Sequence, residues 1–291
     1  MARTGQSALP IRNLGEVAAS LEAAIRLCLA KPLKRAVHDL RTATRRVEAQ
    51  LELLSMLPLP DLPPHEQQRQ LVLSLLKKLR RAAGQVRDLD VQRDLIRREA
   101  DADKSAPCPD PAVRVEARRL RRALNRDRDH AADHLQQLLH KQHARLPLAF
   151  GELLATLAPA ESMALGEPRL IELILARYGS NHQTETPAPL VPDDTAQLHE
   201  LRKRAKLARY VAESAPKSAV AAQRLAGQFA ILQQAGGEWH DWLVLAQVAA
   251  GELGPSAKLS QRFAAHADHA LLAFRRCLGE AISPADSAHS M

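Results

Sequence analysis

The chain has 291 residues, 46% of them hydrophobic but only 3% aromatic, and its 41 Lys and Arg against 33 Asp and Glu give a net charge of +8. Ala and Leu dominate the apolar fraction, which suits close-packed helices, argues against a sheet protein and predicts an all-α fold with almost no β-structure. The N-terminal segment lacks the apolar core of a signal peptide and no stretch has the roughly 18 uninterrupted apolar residues of a membrane span, so a cytoplasmic protein without a membrane partner is expected.

Helical periodicity opens near Leu14 and runs past Leu57, with a break or bend at Lys31-Pro32, because proline lacks the amide donor and disfavours helix in the residue before it. The proline-rich run from Pro58 to Pro64 reads as a loop. A second helix is expected from about His65 to Ala100, a loop from Asp101 to Pro111, and a very basic third helix from about Ala112 to His143. Pro147 marks a further break, and residues 148–178 read as one or two apolar helices. The first half thus runs over 14–178, and 179–194, rich in proline and polar residues, reads as a connector. The pattern then restarts as a second half, 195–280, with helices at about 195–214, 217–235, 238–252 and 256–280, and 281–291 reads as a disordered tail.

The restart repeats words of the first half. Val37-His-Asp-Leu-Arg41 and Leu198-His-Glu-Leu-Arg202 share the order apolar, His, acid, Leu, Arg. A weaker echo pairs Gly84-Gln-Val-Arg-Asp-Leu-Asp-Val91 with Gly237-Glu-Trp-His-Asp-Trp-Leu-Val244. Two matches in the same order suggest an internal duplication.

Both histidine-bearing helices carry a basic face. On a wheel of about 100° per residue, Arg41, Thr42 and Arg45 fall within about 60° of His38, with Arg46 slightly further round and Val37, Leu40, Val47, Leu51 and Leu54 opposite. In the second half Arg202, Lys203, Lys206 and Tyr210 surround His199, opposite Leu198, Leu201 and Ala208. Lys77, Arg80, Arg81 and Arg87 share a side of the second helix with Gly84, whose missing side chain allows a close approach, and Arg114, Arg118, Arg121 and Arg122 line the third. A single stripe reads as a solvated outer face with Arg stems covering apolar neighbours. Its repetition around a histidine in both halves points instead to an anion, since stripes packed together repel one another until an anion neutralises them.

His38 and His199, each beside Arg and Lys, are suited to phosphate rather than to a metal cation: the cations lower the pKa of an empty imidazole, and a bound polyphosphate raises it. Asp88, Asp90 and Asp94 alternate with Arg87, Arg93 and Arg97 and read as a structural ion-pair network, with metal carboxylates as the alternative. Cys28, Cys108 and Cys277, odd in number and far apart, support neither a disulfide framework nor a zinc site, and buried or idle thiols are expected. No nucleotide loop, dinucleotide fingerprint, zinc-protease or nucleophile motif is present, so neither a catalytic residue nor a metal or other cofactor is assigned.

Three segments together resemble the CHAD proteins, named for a conserved-histidine α-helical domain. They are Val37-His-Asp-Leu-Arg-Thr-Ala-Thr-Arg-Arg46, Leu76-Lys-Lys-Leu-Arg-Arg-Ala-Ala-Gly-Gln-Val-Arg-Asp-Leu-Asp-Val91 and Leu198-His-Glu-Leu-Arg-Lys-Arg-Ala-Lys-Leu-Ala-Arg-Tyr210. The resemblance spans roughly residues 14–280. It implies two four-helix bundles related by a pseudo-two-fold axis, a central basic groove or pore that binds inorganic polyphosphate, and association with polyphosphate granules. Carried over by position, His38, Arg41, Arg45, Lys77, Arg80, Arg81 and Arg87 are first-half contacts and His199, Arg202, Lys203 and Lys206 second-half ones. The second copy departs from the pattern, with His240 in place of Arg87 and Gln233 and Gln234 in place of Arg80 and Arg81, so it offers fewer charges. The expectation is a stand-alone, non-enzymatic polyphosphate-binding module. The alternatives are a nucleic-acid-binding basic helical protein, disfavoured by the shortage of aromatics for base stacking, and a metal-assisted phosphohydrolase using Asp88 and Asp90.

Overall fold

The computed structural model describes residues 7–59, 62–179 and 194–282. They form helices α1 (Pro10–Ala30), α2 (Lys34–Ser55), α3 (Glu66–Lys104), α4 (Pro111–Gln142), α5 (Arg145–Leu157), α6 (Glu167–Gly179), α7 (Thr195–Ala212), α8 (Val220–Leu253) and α9 (Lys258–Ile282). A 3-10 turn, Ala158–Ala160, follows α5. The β-structure of the described residues is one antiparallel pair of two-residue strands, β1 (Ser7–Ala8) and β2 (Leu165–Gly166), so the all-α expectation holds.

Local chemistry explains most boundaries. Pro10 occupies the first turn of α1, where its missing amide has no partner to lose, and Pro32 separates α1 from α2. Asp110 and Asp194 cap α4 and α7 by accepting the amides of Ala112 at 2.9 Å and Ala196 at 3.0 Å. Two helices borrow their caps from distant carboxylates: Glu167 accepts Ala222 N–H at 2.9 Å at the start of α8, and Glu116 accepts Leu259 N–H at 2.8 Å at the start of α9. Gly254 closes α8 with a φ of +94°, a conformation that suits glycine.

Two expectations need correcting. The segments expected as separate helices at 217–235 and 238–252 are the single helix α8, which runs straight through Gly236-Gly237. Gly236 is buried in α8 because a neighbour presses on it: a Cβ there would stand 2.9 Å from two ring atoms of Phe274. The break expected at Pro147 falls before it, and Pro147 lies in the first turn of α5, where proline is tolerated. The expected connector and tail lie, apart from their edges, outside the described residues.

By contacts the chain forms two compact units that do not follow chain order. One takes residues 1–90, 124–174 and 210–223, the other 91–123, 175–209 and 224–291. The division of the sequence at 14–178 and 195–280 concerns repetition rather than compactness. The first unit is organised around Leu14, Leu21, Val37, Leu40, Leu51, Leu76, Leu79, Leu135 and Leu153, all essentially inaccessible, each worth about 1.5–3 kcal/mol on burial. Arg128 ties its polar edge together, its Nε donating to Asp90 Oδ1 at 3.2 Å and its Nη2 to the Pro32 carbonyl at 2.7 Å. The second unit buries Trp239, Trp242, Phe263 and Phe274. Among the described residues no helix is long and apolar enough to cross a membrane.

Candidate functional site

Register alone places the cations of α2. Val37, Leu40, Val47 and Leu51 turn one face into the core, which leaves His38 and Arg46 exposed and Arg41 and Arg45 half-buried at its border. α3 follows the same rule: Leu76, Leu79, Ala83 and Val86 are buried, Lys77 and Arg81 exposed, Arg80 and Arg87 half-buried.

The structure brings three of these arginines together. Glu48, whose side chain is only 13% exposed, accepts Arg80 Nε at 2.7 Å and Arg45 Nη1 at 3.2 Å, so one carboxylate serves guanidiniums from both helices. Arg41 Nη2 lies 3.9 Å from Asp88 Oδ1, and a Cβ placed on Gly84 would stand 2.7 Å from Arg41 Nη1. The bare backbone of Gly84 is thus what Arg41 lies against. Burial is the main force that lowers the proton affinity of Arg45; Glu48 opposes it, and the charges of Arg80 and Arg41 reinforce it. Arg45 Nε is itself buried with no acceptor among the described residues. Positive charge therefore exceeds what the local carboxylates balance.

At the start of α2, Lys34, Arg35, His38 and Arg87 line an open hollow. The sequence reading passed over Lys34 and Arg35, although they precede His38 by four and three residues and so share its face. It also passed over Glu48, whose spacing of three from Arg45 marks a helical ion pair. Arg46 goes elsewhere, to a hollow between α1 and α2 that also holds Val17, Leu27, Asp39 and Thr42.

In the second unit the His-bearing helix is α7, with His199, Arg202 and Lys206 half-buried and Lys203 exposed. His199 stacks on Trp239 with ring centroids 4.7 Å apart and meets His240 edge-on at 5.1 Å. Burial first, then Arg202 and Lys203, hold the His199 pKa below the usual histidine value, with Glu200 opposing them. Glu200 is itself paired with Lys203 Nζ at 2.6 Å. The Arg202 stem packs on α8, its Cγ 3.1 Å from where a Cβ on Gly236 would be. Arg114, Arg118, Arg121 and Arg122 are exposed on the part of α4 that belongs to this unit, whereas Tyr210 is buried and belongs to the first.

The carboxylates of α3 find partners on other helices, Asp88 at Arg41 and Asp90 at Arg128, while Asp94 pairs with Arg97 at 3.5 Å. Among the described residues no three His, Cys, Asp or Glu side chains gather as a metal site. Chemically, both units offer guanidinium, ammonium and imidazole donors set on rigid helices, a donor set for phosphate-like oxygens.

The CHAD domain model of known families matches residues 14–250. The crystal structure of the CHAD domain from the plant Ricinus communis superposes with a TM-score of 0.60 at 18% identity, covering 96% of this chain and 94% of that one. PptA from Streptomyces chartreusis superposes with a TM-score of 0.61 at 17% identity, covering 92% and 97%. At this identity both likenesses concern the fold. No curated protein matches the chain.

Proposed function

The chain belongs to the CHAD domain family, and from that premise we propose that it binds inorganic polyphosphate through the Arg, Lys and His side chains of α2, α3 and α7, without turning it over. The observation that carries this reading is the group of Arg41, Arg45 and Arg80 around Glu48, in which a half-buried guanidinium is crowded by two others and served by one carboxylate. A polyanion laid over these side chains supplies the missing acceptors and relieves the repulsion.

Equivalence of the two units belongs to the same proposal. In each, the arginine of His-x-x-Arg lies against a buried glycine of the helix that follows, the Nη1 end of Arg41 on Gly84 and the Cγ stem of Arg202 on Gly236, although the repeated words pair Gly84 with Gly237. The repeated His-x-x-Arg words are what an ancestral duplication leaves behind, and they give a long polymer two related cationic faces. Association with polyphosphate granules follows from binding of this kind.

Polyphosphate is preferred to nucleic acid because base stacking needs exposed aromatic faces. Trp239 and Trp242 are 2% and 4% exposed, and Phe263 and Phe274 are inaccessible. The test is competition at equal phosphate concentration, with duplex DNA and orthophosphate each set against long-chain polyphosphate. The proposal predicts that neither displaces it and that its length is unchanged after incubation with Mg²⁺ or Mn²⁺. Equal displacement by DNA, or shortening abolished by Asp88→Asn, would sink it in favour of the nucleic-acid or the phosphohydrolase reading respectively.

A further inference from the structure

On other helices exposed arginines sit beside a carboxylate three or four residues away: Arg26 has Glu22 at 3.8 Å, Arg97 has Asp94 at 3.5 Å and Arg169 has Glu172 at 2.8 Å. The first part of α4 breaks that pattern. Arg114, Arg118, Arg119, Arg121 and Arg122 are all exposed on the stretch of α4 that belongs to the second unit, and none of them has an ion-pair partner among the described residues. Arg114, Arg118 and Arg122 follow one another at four-residue spacing, so each meets a like charge where a carboxylate would stabilise the helix.

The acids placed to serve these arginines are held by another helix. Asp110 lies four residues before Arg114 and Glu116 three before Arg119, the spacing of the pairs above. Asp110 instead takes the Ala112 amide and the Lys258 ammonium, and Glu116 accepts Leu259 N–H at 2.8 Å and Lys258 N–H at 3.3 Å. The start of α9 thus occupies both local carboxylates and leaves the arginines to solvent or to an anion brought from outside. All five cations are arginine, whose fork takes two phosphate oxygens at once, and they span about 12 Å of helix axis. No aromatic side chain lies among residues 111–123, so the face offers charge without base stacking.

We propose that this arginine face of α4 is an accessory docking surface for the polyphosphate chain, and that it gives the protein a preference for long chains over short ones. The proposal rests on the polyphosphate reading above, which places the anchoring contacts on α2, α3 and α7. Open to solvent, each α4 contact is weak on its own. A chain anchored elsewhere presents its free length to the face at a high effective concentration, so the contacts add to affinity only where the chain is long enough to reach. Tripolyphosphate has no free length to offer.

The experiment compares wild type with a face variant, Arg114→Gln/Arg118→Gln/Arg121→Gln/Arg122→Gln, and with a control, Arg12→Gln/Arg26→Gln/Arg97→Gln/Arg169→Gln. The control removes the same charge from exposed arginines that have carboxylate partners. Glutamine favours helix nearly as well as arginine, and unchanged helical circular dichroism confirms that each variant folds. Long-chain polyphosphate and tripolyphosphate are each titrated into all three proteins, the long chain across a salt series. In the face variant the ratio of long-chain to tripolyphosphate affinity is expected to fall about tenfold below that of wild type. Its long-chain log–log salt slope should shrink by about 2.8, at about 0.7 per lost contact on a single-stranded polyanion. The control is expected to keep the ratio within about twofold of wild type. Binding by wild type with the face variant indistinguishable from the control overturns the accessory face alone. Duplex DNA that displaces long-chain polyphosphate from wild type but not from the face variant also overturns it, and assigns the face to nucleic acid. Failure of wild type to bind either polyphosphate overturns the functional reading and the face with it.

Discussion

The same substitution, Gly→Ala, should be nearly neutral for stability at Gly84 and destabilising at Gly236. In a helix interior Ala is favoured over Gly by about 0.5–1 kcal/mol. At Gly84 the added methyl meets only the Nη1 end of Arg41, a long side chain that can swing away. The loss is then the Arg41–Asp88 pair, which at 3.9 Å and with Asp88 half exposed is worth about 0–1 kcal/mol. The terms nearly cancel, and Gly84→Ala should shift Tm by no more than about 2 °C while weakening polyphosphate binding, because Arg41 has been displaced. At Gly236 the methyl meets the Phe274 ring at 2.9 Å and Arg202 Cγ at 3.1 Å. Phe274 is inaccessible and stacks on Trp239, with centroids 5.7 Å apart, so it has nowhere to go. Overpacking of this kind costs about 1–3 kcal/mol, more than the propensity gain, and should lower Tm by about 2–6 °C. Thermal unfolding followed by circular dichroism, with a binding titration on each variant, reads both effects. Equal Tm shifts, or Gly84→Ala the more destabilising, would refute the argument that the rigidity of the pressing side chain decides the cost.

Other predictions follow from the same geometry. Glu48→Gln removes the shared carboxylate from Arg45 and Arg80, both about a quarter exposed, and should lower stability by about 1–3 kcal/mol in urea melts, with most of the loss restored by added polyphosphate. Because His199 is depressed when folded, the unfolded chain takes up its proton first as pH falls below about 6.5, so stability should decline between neutral pH and the lower folded value. His199→Gln should flatten that decline in pH-dependent melts, and an NMR titration showing His199 at or above the ordinary value would contradict it. A bound polyanion reverses the sign, so polyphosphate binding to wild type should tighten over the same window. Burial, with some help from Asp39, pushes the Cys28 thiol up to about 12, while Cys108 is exposed. Thiol titration at pH 8 should modify Cys108 quickly and Cys28 only on unfolding.

The parts of this architecture written in local chemistry were legible before the structure. Proline at positions 10, 32 and 111, aspartate at 110 and 194 and the apolar face of α2 carry their own instructions, and those helices begin and end close to where the sequence places them. Gly236-Gly237 was misleading, because Gly236 sits in α8 for the sake of Phe274, a partner from α9 that no local pattern announces. The same limit governs the site. The wheel put His38, Arg41 and Arg45 on one face, but the role of Glu48 depends on Arg80, 32 residues away. Likewise Asp88 and Asp90 look paired with their interleaved arginines in sequence, whereas their ion pairs are with Arg41 and Arg128 across helices. Trp239 beneath His199 had no marker other than its place beside His240 in the weaker echo of the repeat.

The central claim is that paired His-centred cationic faces bind polyphosphate, and its most direct test is the affinity of long-chain polyphosphate for wild type and for Arg41→Glu/Arg202→Glu at about 50 mM and about 200 mM salt. The account predicts tight binding by wild type that weakens steeply between the two salts and is lost in the double variant. Salt-insensitive binding, or a double variant that binds as wild type does, would contradict it.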